Sequence, residues 1–192
     1  MKEYYESLYK ENSAYWGMLP SPVALQVLAY CKQGKLLDLG CGQGPDAIFF
    51  VKKGLRITAI DISPKAIADL KQHAKEFGVA IDAREADMRN LPREEFDIIF
   101  SRMALQMIKT EERREYIEEL KKAYPDAVHA HIIPISGACF GTAFICDNNL
   151  LKEAYAHWNI LFYEEAWTIS RALNKNGEPF LMREARIIAK QK

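Results

Sequence analysis

Apolar positions along the chain change their period near residue 35. Before that point they recur at helical spacing, interrupted at Trp16-Gly17-Met18-Leu19-Pro20-Ser21-Pro22, where breakers sit among large apolar side chains. A second helix is expected to start at Ser21, which caps it with Pro22 in the first turn, and to run through Val23, Leu25, Val27 and Leu28. After residue 35, short apolar runs alternate with amphipathic stretches. The pattern predicts strands over 35–39, 55–60, 80–85, 96–100 and 127–133, and helices over 46–53, 64–77 and 111–124. Parallel neighbours need a crossover connection, so this alternation implies a parallel sheet with helices on both faces. The last third has another rhythm: a helix over 148–158, then β-like runs over 160–170 and 180–189. They are joined by Asn174-Lys175-Asn176-Gly177, whose Asn-Gly step accepts the positive φ angles of a tight turn. The expected fold is a doubly wound, Rossmann-like α/β domain. Its mostly parallel seven-stranded sheet ends in a C-terminal antiparallel hairpin that closes the edge.

Composition keeps this to one domain. The chain has 192 residues, 49% hydrophobic and 27% charged, enough apolar surface for a single core. Within 1–192, residues 1–34 form a helical cap or lid, 35–133 the ligand-binding core, and 134–192 the terminal helix and hairpin. With 26 basic and 26 acidic residues the formal charge is zero, which argues against nucleic acid or an anionic membrane as partner. No run approaches the ~20 apolar residues of a membrane span, and the start of the chain lacks a leader-like apolar core; a cytoplasmic monomer or homodimer is expected. Cys31, Cys41, Cys139 and Cys146 show no C-x-x-C pairing, so neither a disulfide framework nor a metal site is expected.

Chemistry concentrates after the first strand. In a doubly wound sheet the ligand lies at the carboxyl ends of the strands, and here Gly40, Gly42 and Gly44 alternate at that place. Pro45 breaks the dinucleotide fingerprint G-x-G-x-x-G, which disfavours a nicotinamide oxidoreductase, and no Gly-Lys-Ser or Gly-Lys-Thr follows to make a P-loop. Asp38-Leu39-Gly40-Cys41-Gly42-Gln43-Gly44, with Asp61 ending the second strand, resembles the class I S-adenosylmethionine-dependent methyltransferases. Among them the small tellurite-resistance-type enzymes are the most similar, the likeness extending through 151–158 and Tyr163-Glu164-Glu165.

The resemblance implies S-adenosylmethionine as cofactor and S-adenosylhomocysteine as product. It implies that Asp38 favours the cofactor's ammonium, Asp61 accepts from the ribose hydroxyls, and Asp87 accepts from the adenine amino group between Ile62 and Met88. Gly40, Cys41, Gly42, Gly44 and Ser101 complete the implied cofactor site. Asp38 and Asp61 also fit as caps of the turns after their strands, and Asp87 as plain loop. No basic residue lies between 36 and 48, which suits a sulfonium better than a phosphate.

On the acceptor side the candidates are the loop Ser101-Arg102-Met103-Ala104-Leu105-Gln106 and the aromatic N-terminal segment with Tyr4, Tyr5, Tyr15, Trp16 and Met18. That segment reads as a lid or as ordinary packing. Arg102 reads as acceptor-facing or as a solvated charge. His131, two residues from His129 on one side of a strand, reads as a general base or as a hydrogen-bonded structural residue. The tellurite-resistance-type enzymes carry a His-Arg pair near the final hairpin and another Arg after its turn. Here Ser170-Arg171 stands at the pair, so only Arg171 carries over, and Glu178-Pro179 follows Gly177. Arg183 and Arg186 read as substitutes or as a solvated edge. The expected function is in-line methyl transfer to a small-molecule acceptor; the alternative is a non-catalytic S-adenosylmethionine-binding or interaction module on the same fold.

Overall fold

A computed structural model describes residues 2–15, 17–137, 145–173 and 178–192, with only the backbone of Lys2 and of 171–173. The expected turn at 174–177, Trp16 and Cys139 lie outside the described residues. The sheet is built from β1 (Lys35–Leu39), β2 (Arg56–Asp61), β3 (Asp82–Glu85), β4 (Ile98–Arg102), β5 (Val128–Gly137), β6 (Asn159–Leu173) and β7 (Pro179–Lys190). Their order is β3-β2-β1-β4-β5-β7-β6, parallel from β3 to β5 and antiparallel in the last two pairings. Connections diverge between β1 and β4, the switch point where ligands bind such sheets. The doubly wound reading holds, with one refinement: β7 lies inside the sheet and β6 forms the edge.

Helices α1 (Lys2–Glu11), α2 (Pro22–Tyr30), α3 (Pro45–Lys52), α4 (Pro64–Glu76), α5 (Arg113–Ala123) and α6 (Leu150–Ala154) cover the sheet, with a 3-10 turn at Leu105–Met107. Ser21 caps α2 through the Ala24 N–H at 3.2 Å, and Ser63 caps α4 through the Ala66 N–H at 3.0 Å. Proline at the first helical position has its fixed φ ready for the helix and lacks an N–H that would go unpaired.

Side chains alternate across the strands, and the two faces have separate cores. Leu36, Ile57, Ala59, Ile98, Phe100 and Ile132 pack under α2, α3 and α4. Leu37, Leu39, Ile60, Ile99, Ile133 and Ile187 pack under α5 and α6. Most boundaries shift from the sequence reading, and two of the shifts have a local cause. The tail helix ends at Ala154 because Tyr155 to Trp158 leave it in a turn that sets both aromatic rings edge-on to His129. The fourth strand begins at Ile98 because Asp97 is spent at the strand entry, its carboxylate accepting the Lys35 N–H at 2.7 Å. No helix among the described residues is long and apolar enough to cross a membrane.

Candidate functional site

A cavity of about 330 Å³ opens over the carboxyl ends of β1, β4 and β5 and reaches the inner face of the hairpin. At one end lie Asp38, Gly40, Cys41, Gly42, Pro45 and Asp46. The loop is shaped by main-chain bonds: the N–H groups of Gly40 and Cys41 both donate to the Ile60 carbonyl, at 2.9 and 3.0 Å. Gly40 has φ +69°, and a Cβ there would stand 2.6 Å from the Cβ of Ala104. Gly44 has φ +84° and supports Leu70, whose Cδ1 would lie 2.1 Å from an added Cβ. Both positions therefore exclude a side chain twice over, by conformation and by contact.

Asp38 and Asp46 are buried, and half-buried Asp61 completes a group of three carboxylates with one guanidinium, Arg102, among them. Asp38 accepts no hydrogen bond among the described residues, and burial, followed by the charges of Asp46 and Asp61, holds its carboxyl well above the usual range. Asp46 is occupied: Oδ1 accepts the Ser21 N–H at 2.5 Å and Oδ2 faces Arg102 Nη1 at 3.4 Å. Asp61 accepts from Gly42 N at 2.8 Å and Ser63 N at 2.9 Å; burial raises its carboxyl against these N–H groups. Cys41 is buried, its thiol pushed well up by desolvation.

Asp61, Ile62, Asp87 and Met88 lie outside this cavity. Asp87 is clasped by Arg89, which holds its carboxyl below the usual range, and Ile62 is exposed. Met88 is partly buried, its carbonyl accepting from the Tyr116 hydroxyl at 2.7 Å. Across this region lies α1. Its Glu6 accepts from the Ser63 hydroxyl and from the Lys65 N–H at the start of α4. Buried Gln43, inside the glycine loop, accepts the Tyr15 N–H at 2.8 Å and donates to the Asn12 carbonyl at 2.8 Å and to Asp69 at 2.9 Å. Tyr5 and Tyr9 reach the cavity from α1; Tyr4 stands against Tyr5 in an edge contact.

The far end of the cavity is made of side chains. Arg102, Met103, Gln106 and Met107 come from the end of β4 and the turn after it. Met103 holds φ +51°, an uncommon conformation for a side-chain-bearing residue and one that occurs here on the cavity wall. Ile132 and Pro134 of β5, Met182, Glu184 and Arg186 of β7, and Thr168 and Ser170 of β6 line the hairpin side. Arg186 is buried, not part of a solvated edge: its Nε donates to Glu184 at 3.0 Å and its Nη1 to Glu164 at 2.8 Å. Arg183 does lie on the partly exposed side, paired with Glu165. Nothing is described of the Arg171 side chain. Alternation of the final strand's charges was visible in sequence; the inward turn of Glu184 and Arg186 was not, because it depends on pairing with β5.

His131 is corrected as a candidate base. Ile132 and Pro134 face the cavity, so the strand's two-residue period sends His129 and His131 to the opposite face, under α6. There both are fully buried in a chain of hydrogen bonds. His129 Nε2 must donate to the Tyr124 carbonyl at 3.0 Å; burial depresses this imidazole to about 4, so it is neutral and its Nδ1 accepts from the Tyr155 hydroxyl at 2.8 Å. The Tyr155 oxygen then accepts from His131 Nε2 at 2.9 Å, and His131 Nδ1 accepts from Ser101 Oγ at 2.8 Å. Ser101 is therefore committed away from the cavity through its side chain.

A methyltransferase domain model matches residues 36–125, the segment that carries the glycine loop and the three carboxylates Asp38, Asp46 and Asp61. The probable S-adenosyl-L-methionine-dependent methyltransferase TehB of Haemophilus influenzae is 26% identical over 176 residues, 88% of this chain and 60% of the relative. Just under half of the chain, residues 36–125, thus matches a methyltransferase domain, and over most of its length the chain is similar to S-adenosylmethionine-dependent methyltransferases. Hemagglutinin 1 of Eikenella corrodens is 28% identical over 175 residues, 88% of this chain and 57% of that protein. The chain thus spans less than two thirds of the length of either relative. Among solved structures, TehB from Haemophilus influenzae superposes with a TM-score of 0.81 at 23% identity, over 100% of this chain and 67% of that one. The 1,6-didemethyltoxoflavin-N1-methyltransferase of Burkholderia thailandensis, solved with its namesake and S-adenosylhomocysteine, gives 0.66 at 19% identity, over 99% and 86%.

Proposed function

We propose that this chain transfers the methyl group of S-adenosylmethionine to a small molecule bound at the hairpin end of the same cavity. The observation that carries the reading is Asp38, a buried carboxylate without a hydrogen-bond partner among the described residues, set in the wall of a ligand-sized cavity. Such a group calls for a cation, and with Asp46 and Asp61 around one guanidinium the donor end suits a cofactor with an ammonium and a sulfonium and no phosphate.

When bound, the cofactor supplies a methyl carbon already activated by a sulfonium leaving group. The chain's part is to hold and orient. Asp38 takes the ammonium, the main chain of Gly40 to Gly42 lies beneath the methionine arm, and Asp61 accepts from the ribose hydroxyls. Asp87 receives the adenine amino group, with Ile62 and Met88 on the ring faces. Tyr5 and Tyr9 close the cavity from above, which excludes water and sets aromatic faces near the cationic centre.

The test is thermal unfolding with and without ligand. Millimolar S-adenosylhomocysteine should raise Tm through binding to the native state, and Asp61→Ala, folded by circular dichroism, should lose the shift. A wild-type protein that shows no shift overturns the reading.

A further inference from the structure

Glu184 stands apart from the other acidic residues of the hairpin. Its side chain is nine-tenths buried, it is part of the cavity wall, and its two oxygens have different surroundings. Oε2 is fixed by Arg186 Nε at 3.0 Å, and Arg186 is itself braced on Glu164. Oε1 accepts no hydrogen bond among the described residues. The strand positions paired with Glu184 are Pro134 and Ala166, which offer it no proton. Among the described residues, the ionisable groups that share the cavity with it are Arg186, Arg102, Asp46, Asp38, Cys41, Tyr5 and Tyr9.

A second unsatisfied atom belongs to the same wall. Gln106 is buried and its Oε1 has no partner among the described residues. Both unpaired atoms are hydrogen-bond acceptors, and a buried acceptor is satisfied only by a donor. The ligand that fits therefore brings protons, while Met103, Met107, Ile132 and Met182 ask for an apolar body. β7 is three strand spacings from β1, roughly 14 Å, room for a methionine arm and a ring-sized acceptor between the two walls.

We propose that Glu184 is the general base of the methyl transfer, that Arg186 positions it, and that the acceptor is an uncharged, ring-bearing small molecule with O–H groups. The inference rests on the methyltransferase reading above. The acceptor's oxygen uses a lone pair to form the new C–O bond as the C–S bond breaks. The breaking pair goes to sulfur, leaving neutral S-adenosylhomocysteine, and the hydroxyl proton passes to Glu184 Oε1 and on to water. A carboxylate in this role need not be strongly basic, because the hydroxyl becomes acidic as its oxygen is alkylated.

The experiment uses the full chain with 2-naphthol and catechol as probes. Binding of 2-naphthol to protein saturated with S-adenosylhomocysteine is followed by its fluorescence, and product formation from S-adenosylmethionine by mass spectrometry. Glu184→Gln should weaken 2-naphthol binding about tenfold by losing a charge-assisted hydrogen bond, and slow turnover by roughly 10²–10⁴-fold, with the Kd for S-adenosylhomocysteine unchanged. Glu184→Asp should restore part of the rate. If Glu184→Gln fails to bind S-adenosylhomocysteine, the double variant Glu184→Gln/Arg186→Gln, which removes the buried pair as a unit, carries the same comparison. Wild-type turnover in either variant, or a wild-type protein that binds S-adenosylhomocysteine yet neither binds nor methylates the probes, overturns the inference and leaves the methyltransferase reading standing. Failure of the wild type to bind S-adenosylhomocysteine overturns both.

Discussion

The two ends of the cavity are made in different ways. The end proposed for the methyl donor is mainly backbone: Gly40 and Cys41 hang on the Ile60 carbonyl, and one β1–α3–β2 unit brings Asp38, Asp46 and Asp61 together within 24 residues of sequence. The acceptor end is side chains from β4, β5, β6 and β7, joined by pairings such as Pro134 with Glu184 that span fifty residues. A backbone-built wall tolerates little change, since each glycine is both a conformation and a clearance. A side-chain wall can be rewritten one residue at a time on an unchanged fold, which is how one scaffold serves many acceptors.

The sharpest way to separate the two is Gly44→Val. A β-branched residue at φ +84° against Leu70 should cost about 3–5 kcal/mol and lower Tm by roughly 10 °C, with cofactor binding lost alongside. Next in size is Tyr155→Phe, which strands a ring nitrogen on each of His129 and His131. It should cost about 2–4 kcal/mol in urea unfolding while leaving S-adenosylhomocysteine affinity within about twofold, because that network faces away from the cavity. A large loss of affinity in Tyr155→Phe would break the comparison.

A smaller effect concerns pH. The Asp38 carboxyl is raised in the fold, so its contribution to stability is full below the unfolded value near ~3.9 and is lost as pH rises through the folded value. An ammonium beside it favours the carboxylate. The ligand-induced Tm shift should therefore grow from pH 5 to pH 8, and in Asp38→Asn it should be small and flat with pH, read by differential scanning fluorimetry. Smallest of all, Glu6→Ala should cost about 1 kcal/mol and speed proteolysis within α1, since Glu6 ties that helix to the start of α4.

The donor end was legible in the sequence because its parts are local. Gly40 to Gly44 and the carboxylates at the ends of β1 and β2 follow from strand-turn-helix order alone, and Ser21 caps where the following proline puts it. His131 was misplaced as a possible base because two-residue spacing says that it shares a face with His129 but not which face; only Tyr155 and Trp158 decide that. Gln106 was legible only as part of the loop after β4, and Glu184 carried no signal at all. A single acidic residue in a charged strand looks solvated until β5 covers it, and the Gln106 oxygen is orphaned only by the turn at Leu105–Met107. The tail helix stopped short for the same reason, its aromatic residues drawn out of helical geometry by the histidines.

Gln43 gives the donor loop a second duty. One carboxamide touches residue 12, residue 15 and Asp69, so the glycine loop proposed to hold the methionine arm also latches the segment that follows the N-terminal helix. Linkage then runs in both directions: whatever free energy ligand binding adds to lid docking, lid docking must return to ligand affinity. On the proposed function, cofactor exchange and release of that segment would be coupled steps, the slower of which would limit turnover.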